Sequence, residues 1–237
     1  MGNVERLAQW ILEAKKVVVL TGAGMSTESG LPDFRSKNGW WRGIDPMTVA
    51  TINAFHDDYD LFQAFYCARL DALESCSPHE GHKVLAKLQL QGLISTVATQ
   101  NVDGFHSAAG SSGVFELHGN LQKIRCQACG TLSTVQAFKN KDHCSCGGRL
   151  RPDVVLFGEF LPETAWQGTL AAISEADVVI VIGTSLQVSP VNQLPNLTAG
   201  KKVYINMDVS SSAGFDLVIE GSAKETLVAL EQRLMDV

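Results

Sequence analysis

Short runs of branched apolar residues recur along the chain and alternate with segments of helical periodicity. Residues 3–15 place apolar side chains three and four positions apart, which predicts an amphipathic helix. The run at residues 17–21 predicts a buried strand, because branched apolar residues favour the extended chain. Further apolar runs predict strands at residues 94–99, 114–117, 177–185, 202–208 and 216–221. Helical patterns are found at residues 58–74, 79–91 and 223–234.

Continuous apolar strands that alternate with helices are typical of a parallel sheet covered by helices on both faces. We therefore expect an α/β fold. Polar clusters directly follow five of the predicted strands and so would meet at the carboxyl edge of the sheet, where ligands gather. These clusters read TGAG, TQNVDG, LHGN, GTS and INMD.

The bulk composition excludes several classes of protein. Hydrophobic residues make up 45% of the 237 residues and charged residues 19%, as in ordinary globular proteins. The net charge of −6 does not favour nucleic-acid binding. No apolar run approaches the roughly 18 residues of a membrane span, and the N-terminus has no signal-peptide pattern. We expect a cytoplasmic protein without a nucleic-acid or membrane partner.

Four of the six cysteines lie within residues 123–150, a segment with several glycines and few large apolar residues. Clustered cysteines in a reducing compartment indicate a metal site more than disulfides. The pairs Cys126–Cys129 and Cys144–Cys146 fit a closed, structural zinc site with four thiolates. Replacement of one thiolate by His143 is an alternative, and four unmetallated cysteines are another.

The turn Gly22-Ala23-Gly24 follows the first predicted strand and gives backbone N–H groups room to approach a phosphate. A dehydrogenase fingerprint would continue with a third glycine, but Thr27 stands at that position. No Gly-Lys-Ser or Gly-Lys-Thr sequence is present either, so the turn is not a phosphate-binding P-loop. Taken alone, this turn is most simply a tight connection between a strand and a helix.

The motifs GAGMSTESGLPDFR, TQNVDGFH, LHGNL, RPDVVLFGE, GTSLQVSP and INMD, with the two cysteine pairs, resemble those of the sirtuin family. They occur in that family's order and span nearly the whole chain. The resemblance implies an NAD-dependent protein lysine deacylase with a Rossmann-like NAD domain and one structural zinc ion. It places the large domain at residues 1–35, 78–122 and 151–237, and a small domain at residues 36–77 (helical) and 123–150 (zinc).

The resemblance also implies roles for individual residues. His118 would be the general base towards a ribose hydroxyl, and Asn101 would orient water or the ribose. Asp103 would accept a hydrogen bond from the nicotinamide amide, although Asn and Asp also favour turns without any ligand. Arg35 would bind phosphate and Phe34 would shield the ribose, in a loop at residues 26–36 that closes over NAD. His56, His79 and His82 have the pattern of ordinary helix residues.

Two sets of binding residues complete the implied site. NAD would contact Gly22, Ala23, Gly24, Thr27, Asp33, Phe34, Arg35, Gln100, Asn101, Val102, Asp103, His118, Gly183, Thr184, Ser185, Asn206 and Ala223. The acylated lysine peptide would add as a strand along residues 151–159. Its contacts there would be Val155, Phe157, Gly158 and Glu159.

Tyr66 and Arg69 lie three residues apart on the helix predicted at residues 58–74 and are therefore neighbours. The apolar stripe of this helix is predicted to contain Leu61, Phe62, Phe65, Ala68, Ala72 and Leu73. Arg69 points with this stripe, so its charge needs an anionic partner. An internal Asp or Glu is the simpler interpretation. Tyr-x-x-Arg at this place also resembles bacterial sirtuins that remove succinyl or malonyl groups, in which the partner is the substrate's carboxylate.

Two other functions remain open from the sequence. A protein mono-ADP-ribosyltransferase would cleave NAD in the same way but transfer the ribosyl group to a protein side chain. A non-catalytic NAD-sensing module would bind the cofactor only. Intact His118 and Asn101 favour deacylation, and we expect a monomer that acts on acylated lysines in peptides or proteins.

Overall fold

The computed structural model describes residues 2–34 and 39–236. Its strands are β1 (Val17–Thr21), β2 (Thr96–Thr99), β3 (Phe115–Glu116), β4 (Gly119–Cys126), β5 (Leu132–Ser133), β6 (Leu150–Val154), β7 (Val178–Ile182), β8 (Lys201–Asn206) and β9 (Leu217–Glu220). Its helices are α1 (Asn3–Glu13), α2 (Pro46–Val49), α3 (Ile52–Asp57), α4 (Tyr59–Glu74), α5 (Glu80–Leu90), α6 (Phe105–Ala108), α7 (Val135–Lys139), α8 (Glu163–Ser174) and α9 (Ala223–Met235).

Six strands form a parallel sheet in the order β3-β2-β1-β7-β8-β9. Alternate side chains of a strand point to opposite faces, and β1 is buried on both. Val17 and Val19 pack with α1, α5 and α9 on one face. Val18 and Leu20 pack with α8 on the other. The predicted α/β class and the parallel sheet covered on both faces are confirmed.

The boundaries of two predicted strands differ from the observed ones. Ile94 is not part of β2, because its backbone N–H donates to the carbonyl of Leu88 at the end of α5. It therefore closes the helix, and β2 begins at Thr96. β3 contains only Phe115 and Glu116 and not the whole run at residues 114–117.

A second sheet has three strands in the order β5-β4-β6 and is antiparallel. It shares one hydrophobic core with α4, in which Phe62 and Phe65 of the helix join Leu121, Ile124 and others. The cysteine-rich segment is thus packed on the helical segment 46–74, which supplies the large apolar side chains that it lacks. The predicted boundaries between the large and the small domain stay a prediction.

Helix α4 buries a different stripe from the one that periodicity indicated. Leu61 is 40% exposed and Ala68 is also exposed, whereas Tyr66 and Leu70 are buried in the second core. The helix begins after Asp58, whose carboxylate accepts a hydrogen bond from the backbone N–H of Leu61.

None of the helices in the described ranges is long and apolar enough to cross a membrane.

The turn after β1 lies directly against the turn after β7. The backbone N–H of Gly24 donates to the carbonyl of Gly183 at 2.7 Å, and that of Gly22 to the carbonyl of Ile182 at 3.0 Å. A Cβ atom on Gly183 would lie 2.3 Å from the backbone nitrogen of Met25. Gly183 also has a φ of +63°, a conformation that side chains disfavour. Only glycine permits this approach of the two turns.

Gly183→Ala should therefore destabilise the protein more than the matched variant Gly92→Ala. Gly92 has a φ of +75°, but nothing lies within 4 Å of the Cβ position. We expect about 1 kcal/mol of lost unfolding free energy for Gly92→Ala from backbone conformation alone. Overpacking should add about 2 kcal/mol or more for Gly183→Ala. Urea unfolding measures both, and equal losses would contradict the packing described.

Candidate active site

A cavity of about 1610 Å³ opens along the carboxyl edge of the large sheet. It extends from the turns after β1, β2, β7 and β8 to the segment after β6 and to α4. Its walls bring together most of the predicted site residues: Ala23, Gly24, Thr27, Asp33, Phe34, Tyr66, Arg69, Gln100, Asn101, Val102, His118, Val155, Phe157, Gly158, Glu159, Gly183, Thr184, Ser185, Asn206 and Ala223. Residues far apart in sequence thus share one site, as the strand-end clusters predicted.

Three predicted residues are not among the described residues of this wall. Arg35 is outside the described residues, so its predicted phosphate contact stays a prediction. Gly22 is in the turn after β1, where a Cβ atom would lie 2.5 Å from the Thr184 side chain. Asp103 lines a smaller cavity that shares Phe34 and Asn101 with the large one, so the two are adjacent.

The chain that follows the turn after β1 contains little helical structure. Residues Ala23–Met25 and Thr27–Ser29 form two short 3-10 helices, and the chain is then irregular to Phe34. Ser26, where the predicted loop at residues 26–36 begins, is only 2% exposed. Its hydroxyl donates to the Asp103 carboxylate at 2.7 Å. The stretch therefore forms the floor of the site at Ser26.

Asp103 combines the two interpretations that the sequence left open. One carboxylate oxygen accepts from the backbone N–H of Phe105 at 2.9 Å, which is a turn contact. The other accepts from Ser26. Burial raises the pKa of Asp103, although these two hydrogen bonds and the charge of Arg69 oppose the shift. A buried carboxylate of this kind favours a polar ligand that can donate to its remaining lone pairs.

His118 follows β3, and its Nδ1 atom lies 3.0 Å from the backbone carbonyl of Gln100. Because a carbonyl only accepts, Nδ1 carries the proton and Nε2 is left with a free lone pair in the neutral ring. Burial lowers the pKa of His118, against the opposing effect of the Gln100 carbonyl. The ring is therefore neutral at pH 7 and can accept a proton at Nε2.

A polar network links the ends of β2, β7 and β8. The side chain of Gln100 donates to the Thr184 hydroxyl at 3.0 Å, and the Tyr204 hydroxyl donates to the Thr184 carbonyl at 2.7 Å. Asn206 donates to the Tyr204 hydroxyl at 3.0 Å. Asn101, only 6% exposed, donates to Ser26 at 3.1 Å. These bonds hold the side chains of the cavity wall in fixed positions without a ligand.

Three buried histidines lie beneath the site, and the sequence patterns did not identify them. His79 is not inside a helix as predicted: it caps the N-terminus of α5, where Nδ1 accepts from the Gly81 N–H and Nε2 donates to the Met25 carbonyl at 2.6 Å. His82 contacts Ser26 at 3.5 Å. His106 donates to the Thr21 hydroxyl at 2.9 Å, because that hydroxyl donates to Thr99. Burial is the main cause that lowers the pKa of His82 to about 2 and of His106 to about 4.

Arg69 is partly buried and is surrounded by aromatic rings. Its guanidinium carbon lies 5.2 Å from the Phe34 ring centroid, 5.7 Å from Phe65, 5.8 Å from Tyr66 and 6.0 Å from Trp40. Such contacts stabilise a cation partially. No carboxylate of residues 2–34 and 39–236 is within ion-pair distance of it. Burial lowers the pKa of Arg69, and the nearby Tyr66 and Asp103 raise it.

The predicted peptide edge lines the same cavity as the turns after β1, β7 and β8, which are called the nucleotide turns below. β6 is an edge strand of the small sheet, and the chain beyond it forms one wall of the cavity. Val155 donates its backbone N–H to the carbonyl of His118 at 2.9 Å. Glu159 lines the cavity and its carboxylate accepts from Arg151 at 2.7 Å, and its predicted contact with substrate stays a prediction. Phe160, 99% exposed at the same wall, was missed, although an aromatic residue directly after a predicted binding edge is itself a signal.

The four clustered cysteines meet at the tip of the small sheet. The Sγ atoms all lie within 4.8 Å of one another in the group Cys126, Cys129, Cys144 and Cys146. His143 is not a member of this group. In a tetrahedral site with zinc–sulfur bonds of about 2.3 Å, the sulfur atoms lie about 3.8 Å from one another. The observed Cys126–Cys146 and Cys129–Cys144 separations of 3.5 and 3.6 Å fit such an ion. With four protein ligands the site would be structural.

Fold and site together define a nucleotide-binding α/β protein with a second, zinc-binding module beside the nucleotide cleft. A model of the Sir2 family matches residues 22–190. The NAD-dependent protein deacetylase of Oceanobacillus iheyensis is 46% identical over 207 residues, which cover 85% of this chain and 88% of that protein. The NAD-dependent protein deacylase of Thermus thermophilus is 40% identical over 211 residues, 86% of this chain and 83% of that one. The chain belongs to the Sir2 family, so the sirtuin resemblance is confirmed.

A solved structure described as a Sir2–p53 peptide–NAD⁺ complex superimposes with a TM-score of 0.89 at 32% identity and covers 100% of both chains. By its description, that structure contains both a p53 peptide and NAD⁺. The family match extends from the turn at Gly22 to Pro190 and includes the cysteine cluster.

The buried neutral histidines make unfolding sensitive to acid. Their pKa values in the unfolded chain are near 6.5 and are lowered on folding, so the unfolded state binds more protons below that pH. Stability is then lost as the pH falls from about 6.5, by up to about 1.4 kcal/mol per pH unit for each such histidine. We expect His106→Gln to reduce this slope between about pH 6.5 and the native pKa of about 4.

Urea unfolding at several pH values from 7 to 5 measures the slope. The control is His56→Gln, since His56 lies exposed on α3. An unchanged slope in His106→Gln would show that His106 is not held neutral by the fold.

Proposed function

We propose that this protein removes acyl groups from lysine side chains of proteins and consumes NAD in the reaction. The observation that supports this best is the single cavity, which joins the nucleotide turns to an edge strand with His118 between them. A cofactor site alone would need only the turns after β1, β7 and β8. An adjoining edge strand supplies what a peptide substrate needs for strand addition.

The reaction proceeds by transfer of the acyl group to the ribose. The acyl carbonyl oxygen attacks the ribose carbon that bears nicotinamide, the carbon–nitrogen bond breaks, and nicotinamide leaves with the electron pair. The product is a covalent alkylimidate. Nε2 of His118 then accepts the proton of a ribose hydroxyl, whose oxygen attacks the imidate carbon. Water completes the transfer, and lysine and O-acyl-ADP-ribose are released.

The remaining site residues orient the reactants and exclude water. Asn101 is fixed by Ser26 and positions a ribose hydroxyl or water, and Asp103 accepts from the nicotinamide amide. Phe34 covers the ribose face, which limits hydrolysis of the reactive carbon. Arg35 donates to phosphate. The GAG turn and the turn at residues 183–185 contact the pyrophosphate and ribose, and the segment from Asn206 contributes to the adenine end.

Acid-bearing acyl groups are the preferred substrates under this proposal. Arg69 and Tyr66 line the same cavity as His118 and the peptide edge. The guanidinium has aromatic neighbours but no ion-pair partner in the described part of the chain, so a succinyl or malonyl carboxylate would neutralise it. A bidentate contact to the acid and a hydrogen bond from Tyr66 would then select these groups over acetyl.

Competition between two peptides tests this specificity. The peptides are identical except for acetyl-lysine or succinyl-lysine, and both nicotinamide release and peptide mass are followed. We expect Arg69→Met to reduce kcat/KM for the succinyl peptide about 10- to 100-fold, since hydrogen bonds to charged groups contribute about 1.5–3 kcal/mol. Acetyl activity should be retained, because that group carries no acid.

Arg233→Met is the matched control, because Arg233 lies on the surface of α9 and pairs with Glu5. If Arg69→Met leaves the ratio of the two activities unchanged, Arg69 is a structural residue and the protein is a plain deacetylase. Mass spectrometry separates deacylation from ADP-ribosylation of the peptide in the same samples.

A further inference from the structure

Arg151 is the largest fully buried side chain of the described residues, with 0% exposure. A guanidinium has five N–H donors, and all five have acceptors here. Nε donates to the Pro152 carbonyl at 3.2 Å, and Nη2 donates to the Val154 carbonyl. The Glu159 carboxylate accepts from Nη1 at 2.7 Å and from Nη2 at 3.0 Å, a bidentate pair. The fifth donor bonds the side chain of Gln127 at 3.2 Å.

Glu159 uses the same carboxylate to fold the chain around it. The oxygen Oε2 also accepts the backbone N–H of Leu156 at 2.8 Å. The backbone N–H of Glu159 donates to the Leu156 carbonyl at 3.0 Å, which closes a tight turn. Gly158 within this turn has a φ of +91°. The charge of Arg151 and these hydrogen bonds hold the pKa of Glu159 below its usual range, although burial alone would raise it.

The turn is the wall of the cavity where the peptide edge lies. On one side, the N–H of Val155 is bonded to the carbonyl of His118. On the other, the N–H of Phe157 is bonded to the carbonyl of Ala50 at 2.8 Å. Phe160 follows directly and projects into solvent with 99% exposure. The ion pair thus fixes the shape of a short segment that runs from the general base to an exposed aromatic side chain.

Gln127 ties this arrangement to the cysteine cluster. It stands between Cys126 and Cys129 in sequence and accepts hydrogen bonds from both Arg151 and Arg125. The order of contacts is therefore cysteine loop, Gln127, Arg151, Glu159 and the cavity wall. A metal-binding loop that is distant from the reaction thereby contacts the substrate edge through two side chains.

We infer that Arg151 is a positioning residue for the acylated peptide, acting through its bidentate pair with Glu159 to shape residues 155–160 as the docking edge. This inference rests on the proposed function. It assigns Glu159 a role inside the protein and leaves peptide contacts to the backbone of residues 158–160 and to the side chains of Phe157 and Phe160. NAD binding is not expected to depend on the pair, because the nucleotide turns belong to the other sheet.

The neighbouring pair Arg125–Asp153 provides a matched control. It joins β4 to β6 with an Nε–Oδ1 distance of 2.7 Å. Arg125 lies opposite Arg151 in the strand register, and Asp153 lies two residues after Arg151 on β6. Both side chains are partly exposed, at 25% and 45%, and neither lines the cavity. Loss of Arg125 removes an ion pair between the same two strands and one contact to Gln127 at 3.4 Å, but it leaves the Arg151–Glu159 pair in place.

The experiment compares Glu159→Gln, Arg151→Lys and Arg125→Gln with the full wild-type chain. Anisotropy of a labelled acetyl-lysine peptide gives the peptide Kd without NAD, and calorimetry with ADP-ribose gives the nucleotide Kd. Hydrogen exchange reports the amides of residues 155–160. We expect Glu159→Gln to raise the peptide Kd at least tenfold, to speed exchange in that segment, and to change the ADP-ribose Kd less than twofold.

Arg151→Lys keeps the charge but not the planar fork, so we expect an intermediate rise, and this variant decides the outcome if Glu159→Gln does not fold. Arg125→Gln should change each constant less than twofold. A peptide Kd that stays within twofold in a folded Glu159 or Arg151 variant overturns the inference. A parallel loss of peptide and ADP-ribose binding also overturns it, because the pair would then be merely structural. Failure of the wild type to deacylate any acyl peptide would instead refute the proposed function.

Discussion

The close contact between the turns after β1 and β7 is the constraint on which the site depends. The strand order changes direction there: β2 and β3 lie on one side of β1, and β7, β8 and β9 lie on the other. Such a reversal opens a crevice at the strand ends. Glycines at positions 24 and 183 let two backbones meet in that crevice at hydrogen-bond distance, with no side chain between them. Ala23 and Gly24 line the cavity at this point, so a ligand can approach the turn closely.

The second core places the substrate side of the cleft. Its helical half supplies Tyr66 and Arg69, and its three-stranded half supplies β6 and the turn held by Arg151. Apolar residues of both halves form one core, so each half buries side chains of the other. Because β4 starts directly after His118, this residue, the proposed general base, lies at the junction of the two sheets. The proposed catalytic and peptide-binding elements are therefore held by one continuous backbone.

The sequence predicted the α/β class, the strand-end clusters and the cysteine cluster because each depends on local pattern or spacing. Periodicity alone misassigned Leu61 and Ala68 of α4, since the partner that α4 packs against comes from residues 121–150 and is not visible locally. The buried cluster of Ser26, His82 and His106 was not predicted for the same reason, because these residues meet only through tertiary contacts. Arg151 could be read as part of a motif, but its five internal bonds required the structure.

Accounting for every product of NAD consumption tests the central claim most directly. When the protein is incubated with an acyl-lysine peptide and NAD, it should release nicotinamide, the deacylated peptide and O-acyl-ADP-ribose in equal amounts. His118→Ala should slow formation of the last two by about 100-fold or more, the usual contribution of a general base. Nicotinamide release matched by ADP-ribose attached to the peptide, with the acyl group still on lysine, would contradict the account.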